Sequence, residues 1–407
     1  MMIGLALAAV FWVSLTAVAY VYFGYPLALR LGIFGRRIAL EPTAAPAEPP
    51  MVSVIIAAHN EESGIGEKLK NLLAASYPRE RMEILVGSDG SSDRTEAIIR
   101  PLAAEGVGLI SFPQHQGKSA MQNRLVAAAS GSILIFTDAD CLLAPNALSE
   151  LVANFRDPAV GLVTGRPVYV NQRETAITQN ESSYLGYETW LRVEESARGI
   201  LAVASGSLFA VRRSLWKPLD HHLGDDFVVP LHVVKSGFRN VLEPRAIAST
   251  RLTQSNAGAM LRLKIRIVSK DFRALLCEPS VLNPCRRGRT AVAVSLWSHK
   301  LLRWFVPYFL IAIFVAGILL SAHGAYRWLT GLQVAFYALA FAGLVPRKRA
   351  LLAQWSLALS FCLVNLAALI GTMRCVAGGT SGRWEPDRGE SPGASMTGSA
   401  TLFREPE

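Results

Sequence analysis

The sequence predicts an α/β protein, with a mostly parallel, doubly wound sheet in one soluble domain, tethered by one N-terminal and about three C-terminal membrane-spanning helices. Three observations predict it. From Met51 to Phe155, runs rich in Val and Ile alternate with amphipathic helical stretches about every 25 to 30 residues, the pattern of strands buried on both faces. Uncharged apolar stretches lie near both ends of the 407-residue chain. A Pro/Ala run, "EPTAAPAEPP" at 41 to 50, separates the first of these from the alternating region.

Residues 2 to 23 carry no charge and exceed the roughly 20 residues a helix needs to cross hydrocarbon. A cleaved secretory signal would need a basic n-region, which "MMIGLAL" lacks. Arg30, Arg36 and Arg37 follow the span, which by the positive-inside rule puts the soluble part in the cytoplasm. Residues 1–40 are therefore expected to be a membrane anchor, 41–50 a linker, and 51–290 the soluble domain.

Within that domain "MVSVIIAA", "MEILVGSD", "VGLISF" and "SILIFTD" are predicted strands. The stretches "EESGIGEKLKNLLAAS", "RTEAIIRPLAAE", "KSAMQNRLVAAAS" and "PNALSELVANF" are the helices that follow them. Ligands of such sheets bind at the carboxyl ends of the strands. Acidic motifs stand there: "AAHNEE" at 57 to 62, "SDGSSDRT" at 88 to 95, and "FTDAD" ending at Asp140. In the second motif Gly90 suits a bend and Ser91, Ser92 or Asp93 a helix cap, which leaves Asp89 to accept hydrogen bonds from a base or a ribose. Asp138 and Asp140, spaced i, i+2 after apolar "ILIF", would be costly if buried alone. Two hard oxygen ligands at one turn suit Mg²⁺ or Mn²⁺ with positions left open for a diphosphate.

Together with "GKSAMQN" and "GDDFVVPLHVVKSGFR", these blocks resemble the family 2 glycosyltransferases, in particular the membrane-embedded branch containing hyaluronan, chitin and cellulose synthases. The resemblance covers about residues 50 to 275. It implies a GT-A fold and inverting transfer from a nucleotide sugar, most often a UDP-sugar, at the membrane. It further implies that Ala57, Glu61 and Asp89 hold the nucleoside, Lys118 the nucleotide, and Asp138 with Asp140 the metal and diphosphate. Asp225 and Asp226 match the family's second acidic pair, with Asp226 as the base that takes the acceptor hydroxyl's proton. The competing reading of "LGDDF" is a helix N-cap.

The departures matter. His59 stands where the family usually has Tyr, and it is assigned no chemistry; Cys141 is read as a small filler. Adjacent His221 and His222 project differently and are not read as metal ligands. In "RLKIRIVSKDFR", 262 to 273, Arg262 and Arg266 are the candidate diphosphate cations. The family's Gln-x-x-Arg-Trp is reduced there to its Arg, which disfavours processive polymer synthesis. A single transfer to a polyprenyl phosphate or other lipid therefore stands beside a saccharide acceptor in cell-surface or exopolysaccharide synthesis. A nucleotide-sugar sensor or scaffold is the non-enzymatic alternative.

The formal charge of +10 is concentrated between Arg251 and Arg289, beside the membrane, where anionic lipid is the simplest partner, and no nucleic acid is expected. Five cysteines without paired zinc spacing fit a reduced compartment. Residues 291–375 should hold an interfacial helix, with Lys300 and Arg303 at the headgroups, and spans over 304–322, 328–345 and 351–373. "PRKRA" at 346 to 350 marks a cytoplasmic loop, and 376–407 reads as a disordered tail.

Overall fold

The computed structural model describes residues 2–35, 37–38, 48–172, 174, 176–221, 223–253, 256–285, 289–342 and 352–379. Most of the predicted linker, the "PRKRA" loop, His222 and the predicted tail from 380 onward lie outside the described residues.

Eight strands form one sheet: β1 (Val52–Ala58), β2 (Met82–Asp89), β3 (Val107–Phe112), β4 (Ile133–Thr137), β5 (Cys141–Leu143), β6 (Val160–Tyr169), β7 (Leu208–Arg212) and β8 (Arg239–Thr250), in the order β3-β2-β1-β4-β7-β6-β8-β5. The first four are mutually parallel; β7 runs antiparallel to β4 and β6, and β5 antiparallel to β8. The predicted alternation is thus realised in β1 to β4. The antiparallel additions come from residues whose partners are distant in sequence, which local patterning does not reveal.

Strand β1 shows why the sheet is two-sided. Val52, Val54, Ile56 and Ala58 enter one core with Ile65, Leu69 and Leu72 of the following helix, while Ile55 and Ala57 enter the other with Met121, Leu125 and Phe136. Period-two alternation sends neighbours to opposite faces, and both faces are covered. Each buried Val, Leu or Ile contributes about 1.5–3 kcal/mol, an upper estimate for an extended unfolded chain.

Among the described residues three helices are long and apolar enough to cross a membrane: Met2–Arg30, Thr290–Leu319 and Leu357–Val376. The predicted span 328–345 falls on a helix, Gly324–Ala342, but Arg327, Thr330 and Gln333 dilute its apolar face and it does not qualify. Among the described residues the C-terminal part therefore holds two such helices. The first span packs on Leu302–Leu319 through Phe11, Ile313 and Ala316. The amphipathic helix Ala257–Cys277 lies against Leu352–Val376, close enough that Ser269 Oγ donates to the Gly371 carbonyl (3.1 Å). A Cβ on Gly371 would come within 2.9 Å of the Val268 side chain, so only glycine permits this approach.

The expected headgroup cations are instead turned into the protein. On helix Ala176–Ala197, Glu188 accepts from Arg303 and lies 3.5 Å from Lys300 Nζ. His299 bridges the buried Glu188 and Glu195, with Nδ1 2.7 Å from Glu195 Oε1 and Nε2 3.2 Å from Glu188 Oε2. Tyr25 Oη from the first span donates to the same Glu195 (2.7 Å). Burial of Glu188 opposes its ionisation, but Lys300, Arg303 and His299 outweigh it and hold the carboxyl well below the usual range.

Candidate active site

The strand β4 ends at Thr137, and the chain turns through Asp138, Ala139 and Asp140 into β5. The turn is closed by the Cys141 amide donating to the Asp138 carbonyl (3.4 Å). Ala139 is buried, so the residue between the carboxylates anchors the turn while Asp140 is exposed to the cleft.

Lys118 opens helix Lys118–Ala128, and its Nζ lies 2.9 Å from Asp138 Oδ1 and 3.3 Å from Asp225 Oδ2. Gln122, one helical turn on, donates to the same Asp225 oxygen at 2.5 Å. Burial would push the Lys118 ammonium down, but Asp138, Asp225 and Asp226 hold it above the ordinary lysine range. Burial likewise works against the Asp225 charge and is overcome by Lys118 and Gln122, leaving that carboxyl below its usual value.

Asp226 differs. No described side chain donates a hydrogen bond to it; burial, then the neighbouring Asp225 charge, push its carboxyl up to about 6. It faces two glycines and a third acid. A Cβ built on Gly206 would sit 3.4 Å from Asp226 Oδ2, and one on Gly224 would sit 3.0 Å from Asp226 Oδ1 and 3.7 Å from Asp271 Oδ1. Burial and Asp226 together raise the Asp271 carboxyl well above its ordinary range. Asp140, although solvent-accessible, is pushed up to about 6 by the protein packed around it and then by Asp138. The helix Asp225–Lys235 begins after Gly224 with no side-chain cap, so neither aspartate serves as the N-cap.

Where the resemblance expects the nucleoside, Ala57, the last but one residue of β1 and paired with Gly87 of β2, is buried, as is Glu61. Asn60, left-handed at φ 55°, ties the two strand ends by accepting from the Ser92 amide (2.7 Å). Asp93, as the helix-entry residue, accepts from the Thr95 amide (3.0 Å). Asp89 is fully buried, and its carboxylate accepts from the amides of Gln116 (2.8 Å) and Gly117 (2.7 Å) and meets His115 Nδ1 (2.8 Å). It holds the loop that delivers Lys118. Gly90, at φ +66°, lets that loop pass, since a Cβ there would lie 2.5 Å from the His115 amide nitrogen. The His59 ring packs 4.2 Å from that of His115.

The structure thus gathers Asp138, Lys118, Asp225 and Asp226 into one cluster, with Asp140 on its rim and Asp89 one loop away. Arg266 lies on the same helix near Lys270, whose ammonium is lowered by burial, then by the like charges of Arg266 and Lys118. Arg262 is an exposed residue one turn further out on the same helix. Lys264, by contrast, pairs with Glu181 (2.9 Å), away from the acids. Cys141 is fully buried and its thiol pushed up to about 12, which suits a filler. Gln122, His115, Asp271 and Lys68 were not singled out from sequence. Of these only Gln122 had a local signal, its i, i+4 spacing from Lys118.

The donor set bears on a divalent ion. Among the described residues no group of three or more His, Cys, Asp or Glu could hold one. The two carboxylates of the Asp138–Asp140 turn are hard oxygen donors, however, and an ion shared between them and diphosphate oxygens needs no protein cage. The residues fit such an ion.

A mostly parallel sheet with acidic strand ends around a basic helix start, and a second acidic pair beside it, is a domain of GT-A type. Residues 53–219 match the family described as glycosyl transferase family 2, and the chain carries a domain of that family. An N-acetylglucosaminyltransferase of Rhizobium meliloti (strain 1021) is 28% identical over 263 residues, covering 59% of this chain and 60% of that protein. A beta-monoglucosyldiacylglycerol synthase of Trichormus variabilis is 31% identical over 168 residues, covering 40% of this chain and 36% of the relative. The chain therefore spans less than two thirds of the length of either relative. A mannosyltransferase from Pyrobaculum calidifontis, solved with GDP-Man and Mn²⁺, shares the fold at TM-score 0.69 and 20% identity, covering 90% of this chain and 99% of that one.

Proposed function

We propose that the chain is an inverting glycosyltransferase that moves a sugar from a UDP-sugar to an acceptor at the membrane, with its domain of about residues 51–290 facing the cytoplasm. The observation that carries this is the pairing of one well-bonded aspartate held low, Asp225, with one raised aspartate to which no described side chain donates, Asp226, beside the Lys118 and Asp138 pair. Two acids driven apart in pKa by their surroundings are suited to different tasks.

In this reading the nucleoside sits at Ala57, Glu61 and the Asp89-held loop, and the diphosphate lies between Lys118 and the Asp138–Asp140 turn, with Arg266 and Arg262 supplying further cations. Mg²⁺ or Mn²⁺ held by Asp138 and Asp140 would neutralise charge on the departing diphosphate. Asp226 takes the acceptor hydroxyl's proton as that oxygen bonds to the anomeric carbon and the bond from that carbon to the diphosphate oxygen breaks, with inversion. A base with a pKa near 6 is ionised at neutral pH yet still basic enough to accept. Asp225 keeps Lys118 and Gln122 in place.

A lipid acceptor is the second reading, and one observation favours it: the helix that supplies Arg262, Arg266 and Lys270 lies against the apolar helix Leu352–Val376. The glucosyldiacylglycerol synthase among the relatives supports the same view. To test both, the full chain in lipid is incubated with a panel of radiolabelled UDP-sugars and the products are extracted and sized. Release of UDP with label in a polysaccharide or lipid fraction is expected. Binding of a UDP-sugar without release of UDP in the presence of either acceptor class would point to a sensor instead.

A further inference from the structure

Beneath the Asp138–Asp140 turn lies a lysine that the site described above does not use. Lys68, on helix Ile65–Leu73, is fully buried. Its Nζ donates to Thr137 Oγ1 (2.8 Å) and to the Cys141 carbonyl (2.5 Å), the residues immediately before and after the turn. Three residues on, Asn71 grips the same segment, donating to the Leu143 carbonyl (2.9 Å) and accepting from the Leu143 amide (2.8 Å). Both of the Lys68 partners are uncharged oxygens. An apolar residue would fill such a position without the desolvation penalty of an ammonium. Packing alone does not explain a lysine here.

The bonds continue beyond the turn. Thr137 Oγ1, having accepted from Lys68, donates to the Ser207 carbonyl (2.9 Å), and the Ser207 and Ser205 hydroxyls lie 2.8 Å apart. Between those serines is Gly206, whose open face lies against Asp226. One buried lysine amino group therefore reaches, through a single hydroxyl, from the acidic turn to the loop beside the second acidic pair.

We propose that Lys68 is a positioning residue that locks the Asp138–Asp140 turn to the Ser205–Ser207 loop, holding the donor-side carboxylates in ion-binding geometry and in register with Asp226. This rests on the reading that Asp138 and Asp140 hold the donor's ion. Outer-shell partners of this kind orient ligands they do not join. Asn71 sets the direction of β5, and Lys68 sets the shape of the turn that precedes it.

The test uses the full chain in lipid discs, with UDP and Mn²⁺ as probes in calorimetric titration, alongside thermal unfolding. Lys68→Met preserves length and apolar packing; Thr137→Val leaves the lysine with its bond to the Cys141 carbonyl and removes the hydroxyl that joins it to Ser207. In Lys68→Met the Mn²⁺ concentration needed to tighten UDP binding should rise about tenfold, while UDP binding in EDTA stays as in the unsubstituted protein. Thr137→Val should retain more of the Mn²⁺ response but lower kcat with little change in KM for the donor. An unchanged Mn²⁺ response in a folded Lys68→Met protein overturns the role while leaving the ion reading intact. Equal loss of UDP binding with and without Mn²⁺ also overturns it, because that is the mark of a purely structural lysine. If the unsubstituted protein binds UDP equally with and without Mn²⁺, the ion reading fails first and this role falls with it. Should Lys68→Met not fold, a Thr137→Val protein with unaltered kcat is sufficient to reject the link.

Discussion

Lys118 Nζ stands 2.9 Å from Oδ1 of Asp138, so an ammonium already occupies the flank of the acidic strand end that faces the second acidic pair. The same nitrogen is 3.3 Å from Asp225. One cation thereby keeps two carboxylates from opposite elements within a few ångströms of each other. Lys118 is thus the side chain that joins the two acidic elements directly, with Gln122 steadying Asp225 beside it.

Lys118→Met is expected to lower turnover by about two orders of magnitude, the scale of removing one preorganised charge partner. It should also weaken UDP binding, since the nucleotide loses a cation. Asp225 adds a pH signature. Its folded carboxyl lies below its unfolded value, so its stability contribution is present above the unfolded pKa and is lost as pH falls through the folded one. Without Lys118 that contribution shrinks, and the substituted protein should gain less stability than the parent as pH rises through about 4. Unfolding curves from pH 3 to 7 check this, and parallel curves for the two proteins would reject it.

Asp226→Asn should leave UDP-sugar affinity nearly intact and lower turnover by roughly two to four orders of magnitude, because a base acts on the acceptor and not on the donor. Asp225→Asn should weaken donor binding as well, through Lys118. With the Asp226 carboxyl at about 6, kcat/KM should rise with pH through that value and then level off. The stability sign is opposite to that of Asp225. A raised carboxyl favours the folded state at low pH, and that contribution is lost as pH climbs from about 4 to about 6. Retention of near-normal turnover by Asp226→Asn with a true acceptor would show that the base lies elsewhere.

How much of this was legible in the sequence depends on where the partners lie. β1 to β4 and their helices were legible because each strand is a continuous apolar run beside an amphipathic helix, and the periodicity is local. β7 and β5 pair antiparallel with β4 and β8, and no local pattern encodes that choice. Asp138 and Asp140 stood out because paired acids after an apolar run are costly without a purpose, whereas Asp225 and Asp226 stood out through the resemblance of their block to the family. Asp271 did not, since on an amphipathic helix rich in Lys and Arg a single aspartate reads as a surface charge. Its proximity to Asp226 depends on the fold of Gly224 between them. Lys300 and Arg303 were misplaced at the headgroups for a related reason: the acids that draw them inward lie more than a hundred residues earlier.

Two cations two residues apart on helix Ala257–Cys277 should behave differently. Lys264 pairs with Glu181 at 2.9 Å and lies over the Tyr184 ring, so it links this helix to Ala176–Ala197. Arg266 acts on Lys270, which senses Lys118, Asp225 and Asp226. Arg266→Ala should therefore reduce turnover at least tenfold more than Lys264→Ala, the loss expected when a forked phosphate donor is removed. Lys264→Ala should lower thermal stability with the kinetics little changed. Comparable kinetic losses from both would mean that the helix is a diffuse basic surface.

The strongest stability prediction concerns the clasp between domain and membrane helices. Glu188 is buried and is approached by Arg303, Lys300, His299 and Arg192 from two elements. Replacing it with Gln leaves four nitrogenous side chains, at least two of them permanently cationic, around a neutral amide in a dry junction. Breaking a buried charge set by removing its shared partner typically costs about 3–5 kcal/mol. The control is Glu48, whose pair with Arg81 at 2.7 Å is solvent-exposed; its replacement by Gln should change stability by less than about 1 kcal/mol. Thermal unfolding of both variants in one detergent, at pH 7, measures the contrast. Because the Glu188 carboxyl is held far below its unfolded value, its contribution is complete above about pH 4.3 and disappears only as pH falls well below that. The gap between parent and Glu188→Gln should therefore be constant from pH 6 to 8 and narrow in acid. A gap that instead opens only above neutrality would mean that the junction is held by its apolar packing, with the carboxylate a passenger.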